Sequence, residues 1–334
     1  MMKFVELYNN AMSEIKKGDM LSAYQRILES IQDIEKNVKE EDLHITYVVN
    51  NNKRPLKAYQ QNGLGTPVDF KQFERVYYKA GEIAAKIGKT EEAYSHFVNY
   101  QKMLMSHFAG DKIDKHLFSF RNFSDYSLAD LANNTLSISR PIVMNDPFDT
   151  PVIEWGKYQR AQNQKPHTEQ FLKSFDGYRI RSFSISEKRK HPIKNLLMWA
   201  HYADGHKGFC VEYDFSSEFR KQMISLNRVH YDTVDLSKEK LSITEAFATK
   251  SKEWKYENEV RLISYNSGKD GDYDTVFLDE QSSIVAIYFG LKCSDERISI
   301  IKSLLKGRGI KLYQMKAVGS AIPYKLKPVL INKT

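Results

Sequence analysis

Apolar residues recur at helical spacing on both sides of two glycine turns, and this pattern stops near Gly110-Asp111, which limits what the chain can fold into. "FVELYNNAMSEIKKGDMLSAYQRILESIQDIEKN" (4–37) turns at Gly18-Asp19, and "FERVYYKAGEIAAKIGKTEEAYSHFVNYQKMLMSH" (73–107) turns at Gly88-Lys89. A three-to-four periodicity on either side of a helix-ending glycine predicts two helical hairpins. Their offsets repeat: Ala23 and Ile27 follow Gly18 as Ala93 and Phe97 follow Gly88. Past Gly110 the texture changes to short β-branched and aromatic runs separated by Asn, Asp, Gly and Pro, which predicts strands.

The expected architecture is α+β: a helical domain over 1–110, then a domain over 111–334 with a mixed or antiparallel sheet and flanking helices. Strands are expected at "LFSFRNF", "TLSISR", "YRIRSFSIS", "GFCVEYDF", "NRVHYDTV", "WKYENEVRLISY", "YDTVFLD", "IVAIYFG" and "IKLYQMKAV". Helices are expected at "SLADLANN", "IKNLLMWAHYAD", "LSITEAFATKS" and "DERISIIKSLLKGRG".

Composition narrows the class. Hydrophobic residues at 41% and aromatics at 12% exclude a disordered chain. No apolar run approaches the roughly 18 residues that span a bilayer, so no membrane segment and a cytoplasmic location are expected. Cys210 and Cys293 are too few for a disulfide framework or a cysteine-built zinc site. The net charge of +8 leans toward nucleic acid or acidic partners, but it is spread over 50 basic and 42 acidic residues. The basic runs "EKRKHPIKN" and "KSLLKGRGIK" either touch phosphates or are solvated surface.

The second hairpin resembles a tetratricopeptide unit. Gly81 lets the paired helices approach, Gly88 closes the first helix and Ala93 sits in the crossing, with Ala11 standing in the first hairpin where Gly81 does. The resemblance implies docking of a protein partner; a plain helical scaffold is the other reading.

Four segments carry a second resemblance. They are Asn145 to Asp149 within "RPIVMNDPFDTP", Phe183-Ser184, Trp199 to Tyr202 within "LLMWAHYADGHKGFCVEYDF", and Trp254 to Arg261 within "WKYENEVRLI". In this order they resemble an uncharacterised bacterial domain family, the domain of unknown function numbered two-nine-seven-one, over roughly residues 117 to 320. Membership implies a domain without settling its chemistry.

Chemistry is therefore sought in the residues. In "WKYENEVRLI" strand alternation puts Lys255, Glu257, Glu259 and Arg261 on one face and Trp254, Tyr256, Val260 and Leu262 on the other. The charged face is either solvated, with cross-strand ion pairs, or a cleft wall holding a carboxylate beside a cation. The Asn145-Asp146-Pro147 turn is either structural or points at a ligand. Trp199, His201 and Tyr202 lie on a helix that Gly205 and Gly208 release into a strand. There Phe209, Val211, Tyr213 and Phe215 share one face, which fills the core, and Cys210, Glu212 and Asp214 share the other. His201 can donate or accept a proton near neutrality or serve as a satisfied structural group.

The order "LFSFR", "RSFSIS", "YENEVR" is similar to the Arg or His, Ser and Glu strands of ADP-ribosyltransferases, particularly the DNA-modifying toxins. That likeness implies NAD as substrate and cleavage of its nicotinamide glycosidic bond, with a carboxylate stabilising the oxocarbenium-like ribose. It implies Arg121 on a phosphate, Ser184 bracing the cleft, Glu257 or Glu259 as the catalytic carboxylate and Arg261 orienting it. Trp199, His201 and Tyr202 would wall the pocket, with His201 close to the chemistry and Asn145 and Asp146 near the ligand. The implied protein is a bacterial effector of defence or toxin type that modifies nucleic acid or protein. Two other readings stay open: a non-catalytic partner-binding module built on the hairpins, and a metal-dependent nuclease, for which "ENEVR" offers Glu-x-Arg in place of Glu-x-Lys. No His-Glu-x-x-His zinc pattern and no glycine-rich phosphate loop occur, and no metal is expected.

Overall fold

Each predicted hairpin turns on a glycine in the left-handed region, Gly18 at φ 86° and Gly88 at φ 80°, where a side chain would be strained. The structure is a computed structural model that describes residues 3–37, 47–49, 55–57, 70–107, 113, 116–144, 146, 149, 168–187, 190–216, 224–231, 247–266, 271–279, 283–319 and 325–333. The chain divides into one compact unit of Met1–Asp111, Val152–Tyr178 and Ser264–Lys269, and another of Lys112–Pro151, Arg179–Ile263 and Asp270–Thr334.

The first unit contains α1 (Lys3–Lys17), α2 (Met20–Asn37), α3 (Phe70–Lys86) and α4 (Thr90–His107), a short helix at Glu169–Ser174, and a small antiparallel ladder of β1 (Tyr47–Val49) with β2 (Pro55–Lys57). A Cβ at Gly81 would lie 2.6 Å from the Phe97 ring, so the close crossing of α3 and α4 depends on that glycine. Ala11, Ala23 and Ala93 are fully buried at their helix contacts.

The second unit holds β3 (Leu117–Arg121), α5 (Asp125–Asn133), β4 (Thr135–Ser139), β5 (Tyr178–Ile185, except Tyr178), α6 (Leu196–Tyr202), β6 (Phe209–Asp214), β7 (Ile224–Arg228), β8 (His230–Tyr231), β9 (Thr249–Lys250), β10 (Glu259–Tyr265, except Ser264 and Tyr265), β11 (Tyr273–Phe277), β12 (Ser283–Phe289), α7 (Asp295–Leu304), β13 (Lys311–Ala317) and β14 (Leu326–Lys333). The main sheet runs β11-β4-β5-β3-β6-β12-β13-β14, with β10 branching from β5 and carrying β7. It is mixed: β12 and β13 are parallel, whereas β11–β4, β3–β5, β3–β6, β6–β12 and β13–β14 are antiparallel. Among the described residues no helix is long and apolar enough to cross a membrane.

Both faces of the sheet are covered. One core joins Leu131 of α5 and Ile298 and Ile301 of α7 to Phe183, Val211, Val260 and Ile287. The other joins Trp199 of α6 and Ala203 just after it to Phe118, Cys210, Ala286 and Met315. β6 alternates as expected: Phe209, Val211, Tyr213 and Phe215 fill the first core, and Cys210 lies on the other face, fully buried in the second core.

Three expectations change. Lys252–Glu257 forms a 3-10 helix where a strand was expected, because Asn258 takes a left-handed φ of 46° and the strand starts only at Glu259. Thr249-Lys250, expected at the end of a helix, form β9, parallel to β8; residues 241–246 of that expected helix lie outside the described set. β14 was not expected, since Pro328 and scattered lysines hide its strand pattern; proline is tolerated on a sheet edge.

Between α6 and β6 the chain reverses through Asp204, Gly205 and His206, all at positive φ. A Cβ at Gly208 would then lie 2.1 Å from the Arg121 carbonyl oxygen, backbone that cannot swing aside. Gly208→Ala is expected to destabilise the protein by about 1–3 kcal/mol, read from denaturant unfolding; Gly205→Ala meets only the φ penalty and is expected to cost less.

Candidate functional site

β5 is registered with β3 at only two pairs, Leu117↔Ile185 and Phe118↔Ser184, and with β4 at Ser139↔Ile180. Beyond those pairs the strands part, and a cavity of about 790 Å3 opens in the second unit, of a size that holds a cofactor or nucleotide. Residues from both faces of β5 line it, Arg181 and Phe183 from one and Ser182 and Ser184 from the other.

The tryptophan helix and the Trp-x-Tyr-Glu turn line this cavity because they are bonded to each other. Asn195 caps α6 through its side-chain oxygen and donates its amide to the Tyr256 carbonyl at 2.8 Å. His201 Nδ1 lies 2.8 Å from the Tyr256 hydroxyl, and the Tyr202 hydroxyl donates to Glu257 Oε1. Asn258 ties the turn to β5, donating Nδ2 to the Ile185 carbonyl at 2.7 Å and accepting the Ile185 N–H at 3.1 Å. Its left-handed backbone swings Glu257 round so that it joins Glu259 in one cluster.

That cluster is buried. Lys250 Nζ sits 2.7 Å from Glu257 Oε2, 3.3 Å from Asp149 Oδ2 and 3.4 Å from Glu259 Oε2, and lies 4.9 Å from the centre of the Trp254 ring. Arg261, fully buried, donates Nε to Glu259 Oε1 at 2.7 Å and Nη1 to the Phe247 carbonyl at 2.7 Å, while Nη2 pairs with Asp149. Three carboxylates thus face two cations, and ionising all three leaves one negative charge unbalanced.

Burial decides which one yields. It pushes the Glu257 carboxyl up to about 7, against Lys250, which favours the ionised form. Burial acts on Glu259 too, but Arg261 and Lys250 outweigh it and hold that carboxyl well below the usual range. Lys250 is desolvated, yet Glu259, Asp149 and Glu257 keep it firmly protonated. The Tyr202 hydroxyl is pushed far up by burial and by Glu257, so it acts as a donor.

The two glutamates give opposite pH dependences of stability. Glu257 titrates near 4.5 in an unfolded chain and near 7 when folded, so from pH 4.5 to 7 the unfolded chain loses a proton that the folded protein keeps, and stability falls as pH rises. The Glu259 contribution is present above pH 4.5 and is lost as pH falls below it. The stability difference between wild type and Glu257→Gln is expected to shift by roughly 2.5 kcal/mol in favour of the variant between pH 5 and 8. A difference that stays constant in urea titrations across that range would show that Glu257 ionises normally. The histidines whose protonation burial disfavours, His96, His191 and His206, are common to both proteins and cancel.

Most of the residues singled out from sequence line this one cavity: Arg121, Ser184, Asp146, His201, Tyr202, Glu257 and Glu259. Arg121 does so while bonded to Asp130 (2.6 Å) and Ser127 (3.1 Å) of α5. Arg261 stands behind the wall, holding Glu259. Trp199 is core: fully buried, it donates Nε1 to the Ile193 carbonyl and meets Phe120 edge-on, away from the lining. Asn145 lies outside the described residues. Lys250, Asp149 and Arg181 were not singled out. Lys250 sat in a segment read as helix, and Asp149 was visible only as the last residue of the Asn-Asp-Pro-Phe-Asp loop. Among the described residues no group of three or more His, Cys, Asp and Glu side chains is arranged to hold a metal ion.

The chain has no match among curated proteins or among solved structures. Residues 198–262, running from α6 into β10 and carrying most of the tryptophan helix and the two glutamates, match the family described as Protein of unknown function (DUF2971).

Proposed function

We propose that the second unit cleaves the nicotinamide glycosidic bond of NAD, an ADP-ribosyltransferase-like reaction, and passes the ribosyl group to a nucleic acid or protein acceptor. The observation that carries this reading is Glu257, a carboxyl at a cavity wall whose buried surroundings bring its titration to about 7. Support also comes from topology: β5, with its serines, pairs with β3, which bears Arg121, and with β10, which bears Glu259.

The chemistry follows from charge. When the C–N bond breaks, its electron pair leaves with nicotinamide and positive charge develops on the ribose. Ionised Glu257 faces that charge and takes the proton that the acceptor hydroxyl or amine loses on attack. Glu259, Lys250 and Arg261 fix Glu257 in place, since Lys250 bonds both glutamates. Tyr202, His201 and Trp254 offer aromatic surface for the nicotinamide ring. The helical hairpins of the first unit would dock a protein partner, as tetratricopeptide-like units do.

The test is nicotinamide release from NAD by purified protein supplied with DNA, RNA or a protein acceptor, comparing wild type with Glu257→Gln and Glu259→Gln. Release by the wild type alone supports the reading. No release with any acceptor favours a partner-binding module, and Mg²⁺-dependent cutting of DNA or RNA without NAD favours a nuclease.

A further inference from the structure

We infer that the part of the same cavity lined by β3 and β5 binds the phosphates of a nucleotide, and that Arg181 is their main ligand, with Arg121 next to it. The assignment rests on the reading above only for the identity of the nucleotide, a pyrophosphate joined to a ribose.

The two arginines differ in what they are bonded to. Arg121 is paired with Asp130 at 2.6 Å, and the other Asp130 oxygen is taken by Thr135 (3.2 Å) and Ser137 (2.8 Å). Arg181 has only neutral partners, Nη2 donating to Ser119 Oγ at 2.7 Å and Nη1 to the Ser137 carbonyl at 3.3 Å. Its Nε is enclosed and bonded to nothing, and among the described residues no carboxylate lies within ion-pairing distance of it. Two guanidiniums therefore share one carboxylate. Burial and the neighbouring Arg121 both work against its charge, bringing its pKa down to about 10, and it stays a cation at neutral pH.

An unbalanced cation at a cavity wall is costly until an anion arrives. Phosphate is the fitting anion, because guanidinium meets its oxygens through paired N–H bonds and hydroxyls add further donors. The serine hydroxyls of Ser119, Ser124 and Ser139 line the same cavity. With Arg181 and Glu257 both lining the cavity, a nucleotide in it would lie with its phosphates at Arg181 and its glycosidic bond at the carboxylate.

The test uses ADP-ribose, which carries the pyrophosphate and ribose but no nicotinamide bond to cleave, in calorimetric titrations against wild type, Arg181→Gln, Arg181→Lys and Glu257→Gln. Arg181→Gln is expected to weaken binding at least about tenfold, Arg181→Lys less, and Glu257→Gln by under about threefold. Thermal unfolding without ligand separates binding from structure: a residue waiting for an anion leaves the melting temperature of Arg181→Gln unchanged or higher, whereas a structural one lowers it. Equal affinity of wild type and Arg181→Gln, no ADP-ribose binding by the wild type, or a lowered melting temperature that accounts for the lost affinity overturns the assignment. So does Arg181-dependent binding of a single-stranded oligonucleotide without binding of ADP-ribose. Arg181-dependent ADP-ribose binding with no nicotinamide release sinks the glycosidic reading and leaves the phosphate site standing.

Discussion

Arg261→Met is expected to lower stability by about 3–5 kcal/mol, the largest loss of any single substitution considered, because it strands buried charge. Arg261 bonds Glu259 through two nitrogens, pairs with Asp149 and satisfies the Phe247 carbonyl, and none of these groups has solvent to turn to. Lys250, 3.4 Å from Glu259, is the remaining cation and is already shared with Glu257 and Asp149. The loss comes from the uncompensated carboxylates more than from a favourable pair. The double variant Arg261→Met with Glu259→Leu is therefore expected to recover much of the stability in denaturant titrations. If the double variant is as unstable as the sum of the single ones, the cluster is not electrostatically coupled in this way.

Glu257→Gln is expected to reduce NAD turnover roughly 100- to 1000-fold while leaving nucleotide affinity nearly unchanged. Glutamine keeps the size but has one accepting oxygen where Glu257 uses two, Oε1 for Tyr202 and Oε2 for Lys250, and it neither carries charge nor takes a proton. The wild-type rate is expected to rise with pH through about 7, since the ionised carboxylate faces the developing ribosyl cation, and the residual rate of the variant is expected to be flat there. A wild-type profile level between pH 6 and 8 would remove Glu257 from the chemistry. Glu259→Gln is expected to hurt both stability and turnover, because Glu259 holds Arg261 and Lys250 in place.

Local chemistry made the helical unit legible: Gly18 and Gly88 end helices because they take a left-handed φ, and Gly81 marks a crossing because Phe97 leaves no room for a Cβ. The site was partly legible for a related reason. Trp-x-His-Tyr and Trp-x-Tyr-Glu are far apart in sequence, but both motifs consist of groups that bond one another, Tyr256 with His201 and Glu257 with Tyr202. The strand alternation read through Trp254–Asn258 failed because one left-handed asparagine resets the phase. Lys250 escaped notice because its meaning comes wholly from three carboxylates brought to it by other segments. Arg181 was hidden similarly: only the pairing of Arg121 with Asp130 reveals which arginine is left without a counter-charge.

The buried cluster leaves one glutamate poised at neutrality on the cavity wall, and the decisive readout is the side-chain carboxyl carbons of ¹³C-labelled glutamates followed by NMR across pH, with Glu257→Gln used to identify the Glu257 signal. A Glu257 midpoint between about 6 and 8 is the expected result, with the Glu259 signal still ionised at pH 4. A Glu257 midpoint in the ordinary range of about 4 to 5 would contradict the account.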